Sequence, residues 1–193
     1  MAAEIKTLSP AHVWSYFYDL TQIPRPTFHT EAVQEYLLAL AKRLTLEAQH
    51  DATGNILIRK PATPGLEGRP VVTLQAHIDM VPQKNSHIEH DFTKAPIDAY
   101  IDGEWVTARD TTLGADNGIG VAYMMAVLSD DTLKHGPLEA LFTVDEEVGM
   151  VGAAGFNGDL KADKLLNLDS EEDDRVTIGC AGGVNLFATI ALN

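Results

Sequence analysis

Four short apolar runs in this chain each end in, or abut, a cluster of ionisable side chains. VTLQAHIDM places His77 and Asp79 at the end of one run. TTLGADNGIG carries Asp116, LFTVDEEVG delivers Glu146 and Glu147, and LLNLDSEED ends at Asp169. The runs ending near residues 76, 144 and 168 read as strands, and Asp116 precedes a Gly-rich turn into a helix. In open α/β sheets ligands gather beyond the carboxyl ends of strands. A fold that brings these ends together holds several carboxylates around one imidazole. Carboxylates held close repel, so the arrangement is costly unless cations lie among them. With cations it is the ligand set of a two-metal hydrolase.

The intervening segments support that architecture. Ser9-Pro10 suits an N-cap and first helical position, and Val13, Phe17 and Leu20 follow at helical spacing, so a helix is expected over 9–20. Pro24-Arg25-Pro26 breaks the chain. Val33, Leu37, Leu40 and Leu44 give a second helix over 30–45 an apolar stripe. Residues 55–59 read as a strand, 61–70 as a turn-rich surface link, and 71–76 as a central strand covered on both faces. Residues 97–108 read as a hairpin turning at Asp102-Gly103. A helix after Asp116 is expected to pack through Ile119, Met124 or Tyr123, and Val127, with its two Met residues as core filling. Strands are expected at 138–144 and 164–168, and two more at 175–179 and 184–192. Strands alternating with helices give the expected fold class: α/β, a three-layer αβα sandwich around a mixed, mostly parallel sheet.

The 193 residues carry 28 acids against 14 Lys plus Arg, a formal net charge of −14. Nothing offsets phosphate repulsion, which disfavours a nucleic-acid partner. No apolar run reaches membrane-spanning length, and the N-terminus lacks a basic segment followed by an apolar one, so no membrane partner and a cytoplasmic location are the expectations. The single cysteine, Cys180, excludes an intrachain disulfide and reads as a small buried residue. No Gly-x-Ser-x-Gly elbow supports serine catalysis. Histidines 12, 29, 50 and 135 lie outside the polar clusters, and His87 and His90 read as loop residues.

The ligand types suit zinc, with manganese or cobalt as alternatives. His77 and Asp79 have period two, so on an extended segment both point the same way. Asp79 can then accept the second ring N–H of His77 or buttress the site. Asp116 can bridge two cations or simply cap the helix that follows. Glu146-Glu147 divides naturally into a general base and a ligand, with Asp145 competing for either role. Asp169 can complete a second coordination shell, while the acids after it read as a solvated face.

At these residues the chain resembles a known family. LQAHIDMVPQK, GADNGIG, TVDEEVGMVGA and NLDSEE are similar to the co-catalytic zinc peptidase family that includes aminoacylases and carboxypeptidase G, and within it to the Xaa-His dipeptidases. The resemblance runs from about residue 8 to the end. It implies a zinc-dependent dipeptidase acting on Xaa-His dipeptides. His77 and Asp169 would bind one zinc, Asp116 would bridge both through a residue joined to Asn117 by a cis peptide, and Glu147 would bind the second. Asp79 would orient His77, and Glu146 would activate the attacking water. A related amidase acting on N-acyl amino acids, or a noncatalytic metal-binding assembly module, are the alternatives. Family members carry a lid-like domain after roughly this point and then a late histidine ligand. The resemblance therefore implies that 1–183 is the N-terminal part of a catalytic domain and 184–193 the lead-in strand of a lid or dimerisation domain. It also implies a homodimer for the full-length form, and weak or no activity for this piece alone.

Overall fold

The computed structural model describes residues 2–170, 172, 174–179, 182–184 and 186–190. A 3-10 turn, Ala2–Thr7, leads into α1 (Ala11–Thr21) and α2 (Glu31–Arg43). The strands are β1 (Glu47–His50), β2 (Ile56–Lys60), β3 (Val72–His77), β4 (Ala99–Asp102), β5 (Trp105–Ala108), β6 (Leu138–Thr143) and β7 (Lys164–Asn167). Between them come α3 (Ala115–Ser129) and the short α4 (Val151–Gly155).

Five strands form one sheet in the order β1-β2-β6-β3-β7, and β4-β5 is a separate hairpin. β3 runs parallel to both β6 and β7, whereas β2 is antiparallel to its two neighbours β1 and β6. Four strands thus share one direction and β2 alone opposes them, which is the mixed, mostly parallel sheet expected. Directly paired residues share a face. The pairs Ile56–Phe142, Ile58–Ala140 and Ala76–Phe142 place one apolar surface across β2, β6 and β3. Val13, Phe17 and Leu20 of α1, Val33, Leu37 and Leu40 of α2, and Met124 and Met125 of α3 close over it as a single core. Each fully buried Leu, Ile or Phe contributes roughly 1.5–3 kcal/mol.

The opposite face is thinner and more polar. Glu139, only 1% exposed, accepts hydrogen bonds from Arg59 Nε at 3.1 Å, Thr73 Oγ1 at 3.0 Å and the Lys161 backbone N–H at 3.0 Å. Those bonds, and the Arg59 Nη2 bond to the Asp159 carbonyl, lay residues 156–161 across this face. The second helical layer therefore consists, among the described residues, of α4 alone.

Several expectations shift in detail. The first helix starts at Ala11, because Pro10 is extended (φ −77°, ψ 128°) after a cis bond to Ser9 and occupies the N-cap itself. The hairpin turns at Gly103-Glu104 rather than Asp102-Gly103, since Asp102 pairs with Trp105. On α3 the buried face runs through Val121, Met124, Met125 and Leu128, while Tyr123 is 48% exposed and Ile119 and Val127 are half-buried. That helix is wedged between α1 and β3, so burial extends round most of its circumference and a single-stripe reading fails. The strands expected at 175–179 and 184–192 are not formed among the described residues. Val176, Ile178, Leu186 and Phe187 stand in solvent with no neighbouring strand to pair with. Residues 185, 191 and 192 of that second stretch, and Cys180, lie outside the described residues.

Candidate metal centre

β3 ends at His77, whose ring is 1% exposed. Its Nδ1 lies 3.2 Å from Asp79 Oδ1. Asp79 has no exposed surface and is saturated. Its oxygens accept from Thr27 Oγ1 at 2.9 Å, the Glu146 N–H at 3.1 Å and the Glu147 N–H at 3.4 Å. This one carboxylate therefore fixes the His77 ring and holds the turn after β6 against the end of β3. Parallel pairing of His77 with Thr143 does the rest, bringing both strand ends to one edge of the sheet.

The other ring nitrogen faces the remaining acids. His77 Nε2 is 3.0 Å from Asp116 Oδ1, 3.7 Å from Asp169 Oδ1 and 3.9 Å from Glu146 Oε2. Two sets of potential ligand atoms, each with all members within 4.8 Å of one another, share His77. One set is His77, Glu146 and Asp169, and the other is His77, Asp116 and Glu147. All six residues singled out by sequence thus converge. Asp145 does not join either set; its Oδ1 accepts the Phe28 N–H at 2.8 Å. Glu172 and Asp174 are exposed, as a solvated face requires.

Asp116 is held by an unusual helix start. Gly114 is the N-cap, with φ +73°, a conformation that a side chain would strain. Asp116 and Asn117 depart from helical geometry and are joined by a cis peptide bond. The Asp116 carboxylate makes no capping bond and instead turns to His77. The capping role that sequence left open for Asp116 is not the one it plays.

The electrostatics of the cluster are those of an anion-rich site. Burial raises the Asp169 carboxyl to about 6, assisted by Asp116 and opposed by His77. Burial, with Asp116 beside it, also raises Glu147. Burial opposes charge on His77, yet the bond to Asp79 and the field of Asp169 outweigh it and raise the ring to about 9. Protons here stand in for positive charge that the acids demand. Imidazole nitrogen with carboxylate oxygens is a donor set that fits zinc or another divalent cation. An open groove of about 430 Å³ borders the cluster along Asp116, Asn117, Glu146 and Asp169.

Sequence reasoning passed over two contributors. Thr27 bonds to Asp79, and Arg25, 2% exposed, donates to the carbonyls of Ile78 and Asp79. The available signal was an arginine set between two prolines, which read only as a chain break.

A profile of peptidase family M20/M25/M40 matches residues 73–182, a span that contains all six converging residues. The chain is 53% identical over 192 residues to the cytosol non-specific dipeptidase of Escherichia coli K12, covering 99% of this chain and 40% of that protein. It superposes on the crystal structure of aminoacylhistidine dipeptidase from Vibrio alginolyticus with a TM-score of 0.86 and 55% identity, covering 90% of this chain and 36% of that one. For aminopeptidase PepT from Bacillus cereus the TM-score is 0.69 and the identity 26%, covering 83% of this chain and 43% of that one. The chain spans about two fifths of the length of the curated relatives it matches. On the profile match and the identity across nearly its whole length, the chain belongs to peptidase family M20/M25/M40.

Proposed function

We propose that this chain carries the cation-holding part of a dipeptidase that cleaves Xaa-His and other dipeptides, with two divalent cations, zinc in the first place and manganese or cobalt as substitutes. The observation that carries the reading is the convergence of Asp116, Glu146, Glu147 and Asp169 on one buried histidine. The names of the similar proteins, a cytosol non-specific dipeptidase and an aminoacylhistidine dipeptidase, support the substrate class. They also support a cytoplasmic location, and no helix among the described residues is long and apolar enough to cross a membrane. Residues 1–183 form the cation-holding unit in this reading.

His77 and Asp169 would hold one ion, Glu147 the other, with Asp116 between them. Bound there, the ions would polarise a peptide carbonyl and make water a better nucleophile. Asp79 keeps the proton of His77 on Nδ1, so that Nε2 presents its lone pair to the cluster. Glu146 reaches the same space through Oε2 and is not saturated by the protein. It takes a proton from the attacking water and returns it to the nitrogen of the leaving amino acid.

Glu146→Gln tests the assignment. Zinc binding, measured by calorimetry on this chain, is expected to persist in Glu146→Gln and to fall by one ion in Glu147→Gln, the ion held by His77 and Asp169 remaining. Turnover of a His-terminated dipeptide, measured in the complete gene product, is expected to fall by roughly 10²–10⁴-fold. Undiminished turnover in Glu146→Gln would remove the proposed base.

A further inference from the structure

We propose that Arg25 is a positioning residue of the metal site. Its buried guanidinium ties the strand end carrying His77 and Asp79 to the turn carrying Asp116, and so sets the spacing between the two halves of the ligand set. This rests on reading the cluster as a cation site.

The contacts are specific. Nη1 donates to the carbonyls of Ile78 at 3.0 Å and Asp79 at 3.1 Å, and Nη2 donates to the carbonyl of Gly114. The first pair lies on the segment leaving β3; the third lies two residues before Asp116. The Arg25 backbone reinforces the first link, since its carbonyl accepts the Met80 N–H at 3.2 Å and the Thr27 N–H donates to the Met80 carbonyl at 3.3 Å. Residues 25–27 thus brace 78–80 along main chain and side chain together.

The surroundings are shaped to the guanidinium. A Cβ on Gly114 would stand 2.6 Å from Nη2 and 2.7 Å from Met80 Sδ, and a Cβ on Gly118 would stand 2.5 Å from Nη2. Side chains at either glycine would drive the fork out of place. A lysine ammonium is a single point and cannot span carbonyls on two elements as a planar fork does.

Stability alone does not account for this residue. Nε is buried without a hydrogen-bond partner. Removing a charge from water costs several kcal/mol, and replacing buried ionic groups by well-packed apolar ones is often neutral or stabilising. The guanidinium sits instead where acids gather, with Asp79 and Asp116 as the charges it feels most. Its fork leaves both carboxylates free to serve the cluster, because it bonds only to backbone oxygens.

The test is zinc titration by calorimetry of this chain, Arg25→Lys, Gly118→Ala and Glu139→Gln. The last is a control. It breaks a buried ion pair four residues before Thr143 on β6, about 13 Å along the strand from the site. Arg25→Lys and Gly118→Ala are expected to bind zinc about 10–100-fold more weakly while keeping the circular-dichroism spectrum of the fold. Glu139→Gln is expected to lose thermal stability with zinc affinity unchanged. Should Arg25→Lys fail to fold, Gly118→Ala carries the test, since it displaces the guanidinium without removing it. Folded variants that bind zinc as tightly as the unaltered chain would overturn the role of Arg25 and leave the cation site standing. Equal weakening in Glu139→Gln would also overturn it, by showing that any loss of stability suffices. Absence of zinc binding in the unaltered chain would instead remove the cation site itself.

Discussion

Replacing Asp79 by Asn keeps the shape of the side chain and removes one acceptor. The carboxylate has no exposed surface and receives four donors: His77 Nδ1 and the Glu146 N–H on Oδ1, Thr27 Oγ1 and the Glu147 N–H on Oδ2. An asparagine must turn its NH₂ towards one of these pairs. Facing Thr27 is the cheaper choice, since a hydroxyl can rotate to accept, but the Glu147 N–H then meets another donor. An orphaned buried donor costs about 1–3 kcal/mol, and hydrogen bonds to a charged acceptor contribute about 1.5–3 kcal/mol against 0.5–1.5 for neutral ones. Relief from burying a charge offsets part of that loss. The net destabilisation expected for Asp79→Asn is about 2–4 kcal/mol, and each kcal/mol moves Tm by about 2–4 °C in a chain of this size. In the other orientation the NH₂ faces Nδ1 and drives the histidine proton to Nε2, the nitrogen that points at Asp116. Zinc affinity then falls as well, by about 10–100-fold. Urea unfolding in chelator gives the first quantity and calorimetry the second. A variant within about 0.5 kcal/mol of the unaltered chain, the range of ordinary surface changes, would refute the reasoning that Asp79 organises this turn.

Two further outcomes are expected. In chelator, the raised Asp169 carboxyl binds its proton more tightly folded than unfolded, so stability should fall as pH rises from about 4 through about 6. The raised His77 ring acts in the same sense at higher pH: its contribution is full below the unfolded value near 6.5 and is lost as pH rises through about 9. Zinc should invert that profile, because ligands must shed protons to bind it. Urea midpoints at pH 5, 7 and 9, with chelator and with zinc, read both effects; a chelator profile that rises with pH would count against the assignments. In the core, Phe142→Ala should cost about 3–5 kcal/mol, since Phe142 is fully buried between Ile56 and Ala76. A loss under about 1 kcal/mol would mean that this layer collapses around the gap.

The strands that end at the cluster were legible because each combines an apolar run with a polar end. β3, β6 and β7 were all placed within a residue or two, and with them the six converging residues. β1 was not legible. Its sequence, Glu-Ala-Gln-His, has every residue exposed, and its place in the sheet comes from main-chain pairing with β2 rather than from any apolar pattern. The α3 face was misread because periodicity distinguishes sides only when one side meets water. Arg25 escaped notice for a related reason. Its partners are backbone carbonyls, which leave no trace in residue type. The strands anticipated at 175–179 and 184–192 are not formed among the described residues, where β-branched and aromatic residues such as Val176, Ile178 and Phe187 have no neighbouring strand to receive them.

The order β1-β2-β6-β3-β7 has a consequence for how such a chain is made. Within this five-stranded sheet, among the described residues, only β1 and β2 are neighbours in both sequence and space. Arg59 and Glu139, which face each other across β2 and β6, are 80 residues apart, and Gln75 and Asn167, across β3 and β7, are 92 apart. β6 is the keystone that joins β2 to β3, and it leaves the ribosome well after both. At roughly 5–20 residues per second, the first helices and strands wait about 4–16 s with unpaired edges before Leu138–Thr143 arrives. The nascent chain therefore holds unpaired strand edges over that interval, and slowing translation just upstream of β6 would lengthen their exposure.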